Sequence, residues 1–299
     1  MSQGSASVRQ AAIAAAPPPR GRGPRAKDLV EPALVHLVVI GADAFSLYPV
    51  LWVISTAFSR GSAPERSVVP LPDEPTLDHL IAVVTAPSFA VQAFNSIVVA
   101  LATATVGVLI AMPAAYAMSR FSFVGKDAGT RILLATQMFP MVASAVPLYI
   151  VLEHLHLLDT KTGLVVCYAT TAVPFAIFQL RGAFDTIPKD LEEAAMVDGA
   201  TRFGAFVRVV LPAARPAIAV TALFAFMSAY NEFILAATIL GKEETLTLPV
   251  VLQRYVGEYG AAWGSFAAGS IIVSLPVMLL FYLVQRHMVA GLTAGGVKG

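Results

Sequence analysis

Glu193-Ala194-Ala195-Met196-Val197-Asp198-Gly199 is followed, after nine residues, by Val209-Val210-Leu211-Pro212, and this stretch lies between two long apolar runs. A membrane chain seldom spends that many structured residues on a connection unless the connection meets something. The helix signals inside it are good. Pro188 suits a first helical turn, and Asp190, Glu192 and Glu193 favour the positive N-terminal end. Gly199 falls where a left-handed C-cap belongs. Thr201 then caps a second short helix running towards Val210, which Pro212 stops before the next apolar run. Ala194, Ala195 and Gly199 are small enough for another surface to come close. Leu191, Phe203 and Phe206 offer apolar contact, and Leu211 and Pro212 close the element. Spacing alone leaves two readings open, a docking joint and an amphipathic hairpin resting on the membrane surface.

Outward from this loop the chain is strongly apolar. Of its 299 residues 57% are hydrophobic and only 13% charged, about half the charge usual in a soluble domain. Six runs are long enough for a bilayer core, which needs about 20 helical residues. They lie near 33–58, 94–118, 131–152, 163–180, 213–239 and 264–285. They are continuous runs, unlike the alternating segments of a membrane barrel. The expected fold is therefore all-α, a polytopic membrane protein with six transmembrane helices. With the N-terminus inside, 15 of the 20 Lys and Arg residues fall on the inner side and 5 on the outer, which predicts both termini cytoplasmic. The net charge of +1 gives no reason to expect nucleic acid, and Cys167, the single cysteine, excludes an intrachain disulfide.

Three parts follow: a disordered basic cytoplasmic tail (1–28), a permease domain (29–288) carrying the loop at 182–212, and a cytoplasmic tail (289–299). The basic cluster before the first span either fixes topology or also touches anionic lipid. Thr76-Leu77-Asp78-His79-Leu80-Ile81 is expected to start a short helix in the longest outer connection, 59–93.

The 193–212 pattern resembles the signature loop of permease subunits in binding-protein-dependent ABC importers. Glu193, Ala194, Ala195, Gly199, Leu211 and Pro212 match it, while Val209 stands where Ile is usual. Tyr230-Asn231-Glu232-Phe233 is similar to the aromatic-Asn-Glu-Phe run of carbohydrate permeases. Thr247-Leu248-Pro249 and the terminal run 291–299 look like the end of the same family, and the chain as a whole is similar to the MalG-type subunits of maltose and maltodextrin importers. The resemblance covers roughly residues 30–299. It implies a permease subunit of the inner membrane that works with a MalF-type permease, a homodimeric ATP-binding subunit and an extracytoplasmic sugar-binding protein. It implies that the loop docks on the ATPase, with ATP and magnesium held by that partner and no cofactor or catalytic residue here. The sequence agrees: it has no Gly-x-x-x-x-Gly-Lys-[Ser/Thr] phosphate loop, and Gly125-Lys126 is followed by Asp127. The solute stays open among maltose or maltodextrin, trehalose, glycerol phosphate and other oligosaccharides. An ion-coupled secondary transporter is the rival from another class, but it leaves the structured loop unexplained. A membrane-embedded enzyme would need converging catalytic groups, and Asp43, His36 and Glu232 are too scattered.

Polar residues inside spans are the remaining candidates. Asp43, at mid-span, is expected to face helices or water, because a charge at the bilayer centre costs about 2.5–3.5 kcal/mol or more. Tyr230, Asn231 and Glu232 either line the pathway or make a helix contact. Successive helical residues point about 100° apart, so the three cannot share one ligand. Glu153, His154, His156 and Asp159 invite a metal hypothesis, but they sit on a short solvated loop, and no metal site is expected. Gly260 and Gly264 have the spacing of a close helix-packing pair.

Overall fold

The computed structural model describes residues 26–61, 69–72, 74–257 and 260–295. Most of the two terminal tails expected from the sequence, 1–25 and 296–299, lies outside the described residues. The helices are α1 (Ala26–Phe58), α2 (Asp78–Val84), α3 (Phe89–Arg120), α4 (Lys126–Gln137), α5 (Met141–His154), α6 (Lys161–Asp185), α7 (Lys189–Val197) and α8 (Arg202–Ala205). A π-helical turn (Phe206–Val210) then leads through α9 (Leu211–Ala213) to α10 (Arg215–Tyr230), α11 (Ile234–Ile239), α12 (Leu248–Arg254) and α13 (Trp263–Gly295). Strands were not expected. Two of two residues each, β1 (Val256–Gly257) and β2 (Gly260–Ala261), pair antiparallel just before α13.

The described residues fall into two units that divide between Trp52 and Val53. In the first, Leu34, Leu37, Ile40 and Phe45 are all more than half exposed, the surface of a helix whose surroundings are not water. Asp43 is exposed on the same helix, and His36 Nδ1 lies 2.6 Å from the Pro32 carbonyl.

In the second unit α3 packs along α6 and α10. Lipid tails are as apolar as leucine, so membrane helices associate through close packing of small side chains. α3 supplies such a face: Ala100, Ala104, Ala111 and Ala115 are buried at intervals of four or seven residues, with Gly107 among them. A Cβ placed on Gly107 would lie 3.5 Å from that of Ala172 on α6, so the helices already touch there. The Gly260–Gly264 pair is not such a contact. Gly260 is in β2, and Gly264, in the first turn of α13, makes room for the imidazole of His79.

Among the described residues four helical segments are long and apolar enough to cross a membrane, Leu34–Phe58, Phe89–Arg120, Lys161–Asp185 and Trp263–Gln285. The count rises to six if each of two bent pairs is one span. The expected continuous runs at 131–152 and 213–239 are broken. α4 and α5 meet at 101° across Met138-Phe139-Pro140, where Pro140 takes an extended ψ of 125° and the N-cap position of α5; proline has no N–H for a continuous ladder. The segment Arg202–Ala213 meets α10 at 75°. Pro212 therefore does not end its helix; the bend falls at Ala214, ahead of Arg215-Pro216. A third interruption, at Asn231-Glu232-Phe233, separates α10 from α11.

Candidate functional site

The 189–214 element is built as local chemistry dictates, with one shift. Pro188 sits at the N-cap position of α7 (φ −57°, ψ 134°) rather than inside the first turn. Gly199 has φ +91°. The Gly199 N–H donates to Met196 O (3.1 Å) and the Ala200 N–H to Ala195 O (3.0 Å), the paired bonds of a Schellman cap. The Thr201 hydroxyl accepts from Gly204 N (3.0 Å) and starts α8.

The element presents one face and anchors the other. Glu193, Ala194 and Gly199 are exposed and Ala195 half-buried. Leu191 is 50% exposed, Val197 87% and Phe203 74%. Phe206 departs from the expectation: it is 6% exposed, turned inward against Tyr116 (ring centroids 4.4 Å apart) and Phe184 (6.2 Å). The π-helical turn begins at this residue. Leu211 also packs on this cluster, and Pro212 is half-buried.

The anchor is a group that the sequence reading passed over. Glu192 is buried, and its carboxylate accepts from Arg120 Nε (2.5 Å) and from the Tyr116 hydroxyl (2.7 Å). The guanidinium also donates to the Ile187 carbonyl (3.0 Å). Beside it, Ser119 donates to Asp185. α7 is thus tied through its buried edge to the C-terminal end of α3, leaving Glu193 and Ala194 outward.

Residues 104–293 match the family described as binding-protein-dependent transport system inner membrane component. The chain belongs to this family. It is 34% identical over 269 residues to the trehalose transport system permease protein SugB of Mycobacterium tuberculosis, covering 89% of this chain and 97% of that one. It is 34% identical over 283 residues to the maltose/maltodextrin transport system permease protein MalG of Vibrio parahaemolyticus, covering 88% and 95%. A chain from a bacterial ABC transporter involved in the import of the acidic polysaccharide alginate superposes with TM-score 0.74 at 23% identity, over 88% of this chain and 98% of its own, which shows a shared fold. The protein is a multi-pass component of the bacterial inner membrane.

The other candidates separate. Tyr230 is 1% exposed and stacked on Phe226 (5.3 Å), Asn231 is exposed, and Glu232 is 9% exposed. The Glu232 carboxylate accepts from the Leu235 N–H (2.9 Å) and the Ala236 N–H (3.2 Å), capping α11 where the chain restarts after the break. Asp159 is drawn away from the two histidines. Its carboxylate accepts from Gly241 N (3.0 Å), Lys242 N (3.1 Å) and the Thr245 hydroxyl (2.5 Å). His156 (φ +55°) takes a left-handed cap position after α5, with Leu157 N donating to Leu152 O (2.8 Å). Among the described residues no group of three or more metal-ligating side chains comes together.

Proposed function

We propose that this chain is the MalG-type half of a permease pair that imports maltose, maltodextrin or a related sugar. In this reading the membrane is crossed six times, with each bent pair one span and both termini cytoplasmic. The loop from Leu191 to Pro212 docks on a homodimeric ATP-binding subunit, a MalF-type chain completes the pathway, and an extracytoplasmic protein delivers the sugar. ATP and magnesium are held by the ATPase. Glu193, Ala194, Ala195 and Gly199 form the contact face, with Leu191 and Phe203 beside it.

The observation that carries this is the exposed face of α7 set on a buried ion pair. A helix kept for lipid would present apolar residues alone, whereas this one exposes the carboxylates of Asp190 and Glu193 among Leu191, Ala194 and Val197. Its tie to Arg120 gives a movement of α7 a direct path into α3. Family membership speaks against a self-sufficient ion-coupled transporter. Overall identity does not choose the solute, because the trehalose and maltose permeases stand at the same 34%. The maltose reading rests on the likeness of residues 30–299 to MalG-type subunits, with trehalose, glycerol phosphate or another oligosaccharide the alternatives.

The test is ATP hydrolysis by the reconstituted four-component complex against a panel of sugars. Stimulation by maltose or maltodextrin alone supports the full reading. Stimulation by trehalose alone keeps the coupling and replaces the sugar. An assembled complex that no sugar stimulates overturns the proposal.

A further inference from the structure

Two of the helix breaks meet at one cleft with both polar and apolar walls. The α4–α5 corner, α6 and α10 border this open cleft of about 410 Å³, whose lining includes Gln137, Phe139, Thr171, Phe175, Phe224 and Ser228. Its wall continues through Thr171 and Ser228 into a narrow recess that reaches Thr103, Tyr168 and Glu232, at the α10–α11 interruption. Thr103 is near the middle of α3 and Thr171 near the middle of α6, so the pocket lies at mid-depth in the bundle. Interrupted helices at membrane depth are tolerated where they are buried in protein or line a water-filled cavity.

The polar groups of this wall have bonding capacity to spare. Thr103 Oγ1 is buried and finds no partner among the described residues. A helical threonine ordinarily returns its hydroxyl to the preceding turn, as Thr221 does to Ala217 O (2.8 Å). Gln137 spends one amide hydrogen on the Thr171 carbonyl (3.2 Å), keeping its second N–H and its Oε1 acceptor. Thr171 donates to Tyr168 O (3.0 Å) and keeps its lone pairs. A lipid chain cannot satisfy such groups. Phe175 and Phe224, edge to face at 6.2 Å, and Phe139 add the apolar surface that covers the C–H faces of a sugar ring. The wall also specifies charge: Glu232 is the lone carboxylate among the lining residues, and it is engaged by the backbone of α11.

We infer that this pocket is where the transported solute touches this chain, and that the solute it fits is a neutral saccharide. Gln137, Thr171, Ser228 and Thr103 meet its hydroxyls, and Phe139, Phe175 and Phe224 meet its ring faces. The inference rests on the sugar-importer reading and adds a site and a charge preference to it.

The experiment uses the whole complex in proteoliposomes, measuring sugar moved per ATP hydrolysed with maltose, maltotriose and trehalose. Thr103→Val removes a hydroxyl at nearly constant shape, and Gln137→Leu removes the amide. Each is expected to lower sugar moved per ATP by about fivefold to tenfold, the effect of one lost hydrogen bond, with Thr103→Ser restoring it. Ser228→Leu is expected to exclude maltotriose before maltose. An unchanged ratio in these variants, or transport and hydrolysis falling together in proportion, overturns the pocket and leaves the importer reading standing. A wild-type complex that moves none of the three sugars overturns both.

Discussion

The two ends of α3, about 48 Å apart at 1.5 Å per residue, are both held by polar groups, but in opposite ways. At the C-terminal end Arg120 and Glu192 are 8% and 7% exposed, and with Tyr116, Ser119 and the Ile187 carbonyl they form one network around a buried ion pair. At the N-terminal end Gln92 donates to Glu243 (2.8 Å), Asn95 donates to the carbonyls of Glu244 and Leu246, and Ser96 accepts from Leu248 N (2.7 Å). The ion pair there, Glu243–Arg254, is about half exposed on both sides. A buried pair fails completely when one member goes, because the other is left charged in a poor solvent. At the far end Gln92, Asn95 and Ser96 are buried but neutral, and only the ion pair is solvated, so losing one partner there strands no buried charge. The end bearing the docking loop is therefore built to move as one piece with α3, and the opposite end to give way by degrees.

The largest break in that contrast is Glu192→Ala. It strands the Arg120 guanidinium, at a cost of about 3–5 kcal/mol. The expected result is fast hydrogen exchange throughout α7 and loss of the co-purifying ATPase, with the far end unaltered. The paired change Arg120→Met with Glu192→Leu sharpens the comparison, since an apolar pair can match a buried ionic one in stability. Restored protection of α7 without restored transport would show that the charges serve coupling as well as folding. An α7 that stays protected in the single variant would show that the pair is not the anchor.

Next in size is Gly199→Asp. None of the described residues lies within 4 Å of a Cβ placed on Gly199, so what remains is the strain of φ +91°, about 1–2 kcal/mol for a residue with a Cβ. ATPase docking is expected to fall by more than that strain explains, because the residue lies on the contact face. Gly199→Asn isolates the backbone part, since asparagine tolerates the left-handed region. Normal ATPase docking and normal transport in Gly199→Asp would remove the residue from the joint.

At the opposite end the expected effect is smaller and depends on pH. Burial alone would raise the Asp159 pKa, but the hydrogen bonds from Thr245, Lys242 and Gly241, with the Lys242 ammonium 3.3 Å away, hold it well below the usual carboxylate range. A depressed folded-state pKa contributes stability above the unfolded value of about 4 and loses it as pH falls. Asp159→Asn should therefore unfold at lower temperature than wild type at neutral pH, and the gap should narrow as pH drops below about 4. A gap that stays constant or widens would mean that the carboxylate charge does not hold this turn.

The parts read correctly from the sequence share a local cause. Gly199 at positive φ, Thr201 capping α8 and the short helix after Thr76 follow from backbone chemistry within a few residues. The 163–180 and 264–285 runs lie inside observed helices because composition alone marks an apolar helix. What the sequence concealed depends on residues far apart. Arg120 reads as a topology charge at a span end, and Glu192 as a helix N-terminal acid; only the fold brings them together, 72 positions apart. Phe206 looked like a contact residue because its hydrophobicity carries no direction, and the π-helical turn beginning there aims it inward. Pro140 is one of several prolines inside the apolar runs, and composition does not say which of them breaks its helix; Asn231-Glu232-Phe233 lies between apolar segments long enough to read as one span, and so the Gln137–Thr103 pocket stayed out of sight.

The smallest effect is expected at the exposed pair, and it tests the comparison from its weaker side. Arg254→Ala removes a donor lying 2.6 Å from the Glu243 carboxylate. That bond is the main cause holding the Glu243 pKa down. Each side chain is about half in contact with solvent, so water replaces most of what is lost, and the change in stability should be below about 1 kcal/mol and fade as salt rises. Glu243 still accepts from Gln92, so the end of α3 keeps its other ties. Thermal unfolding of wild type and Arg254→Ala in low and high salt gives the measurement. A loss as large as that of Glu192→Ala, or one indifferent to salt, would show that the far end is as rigidly locked as the docking end, and the contrast between them would fail.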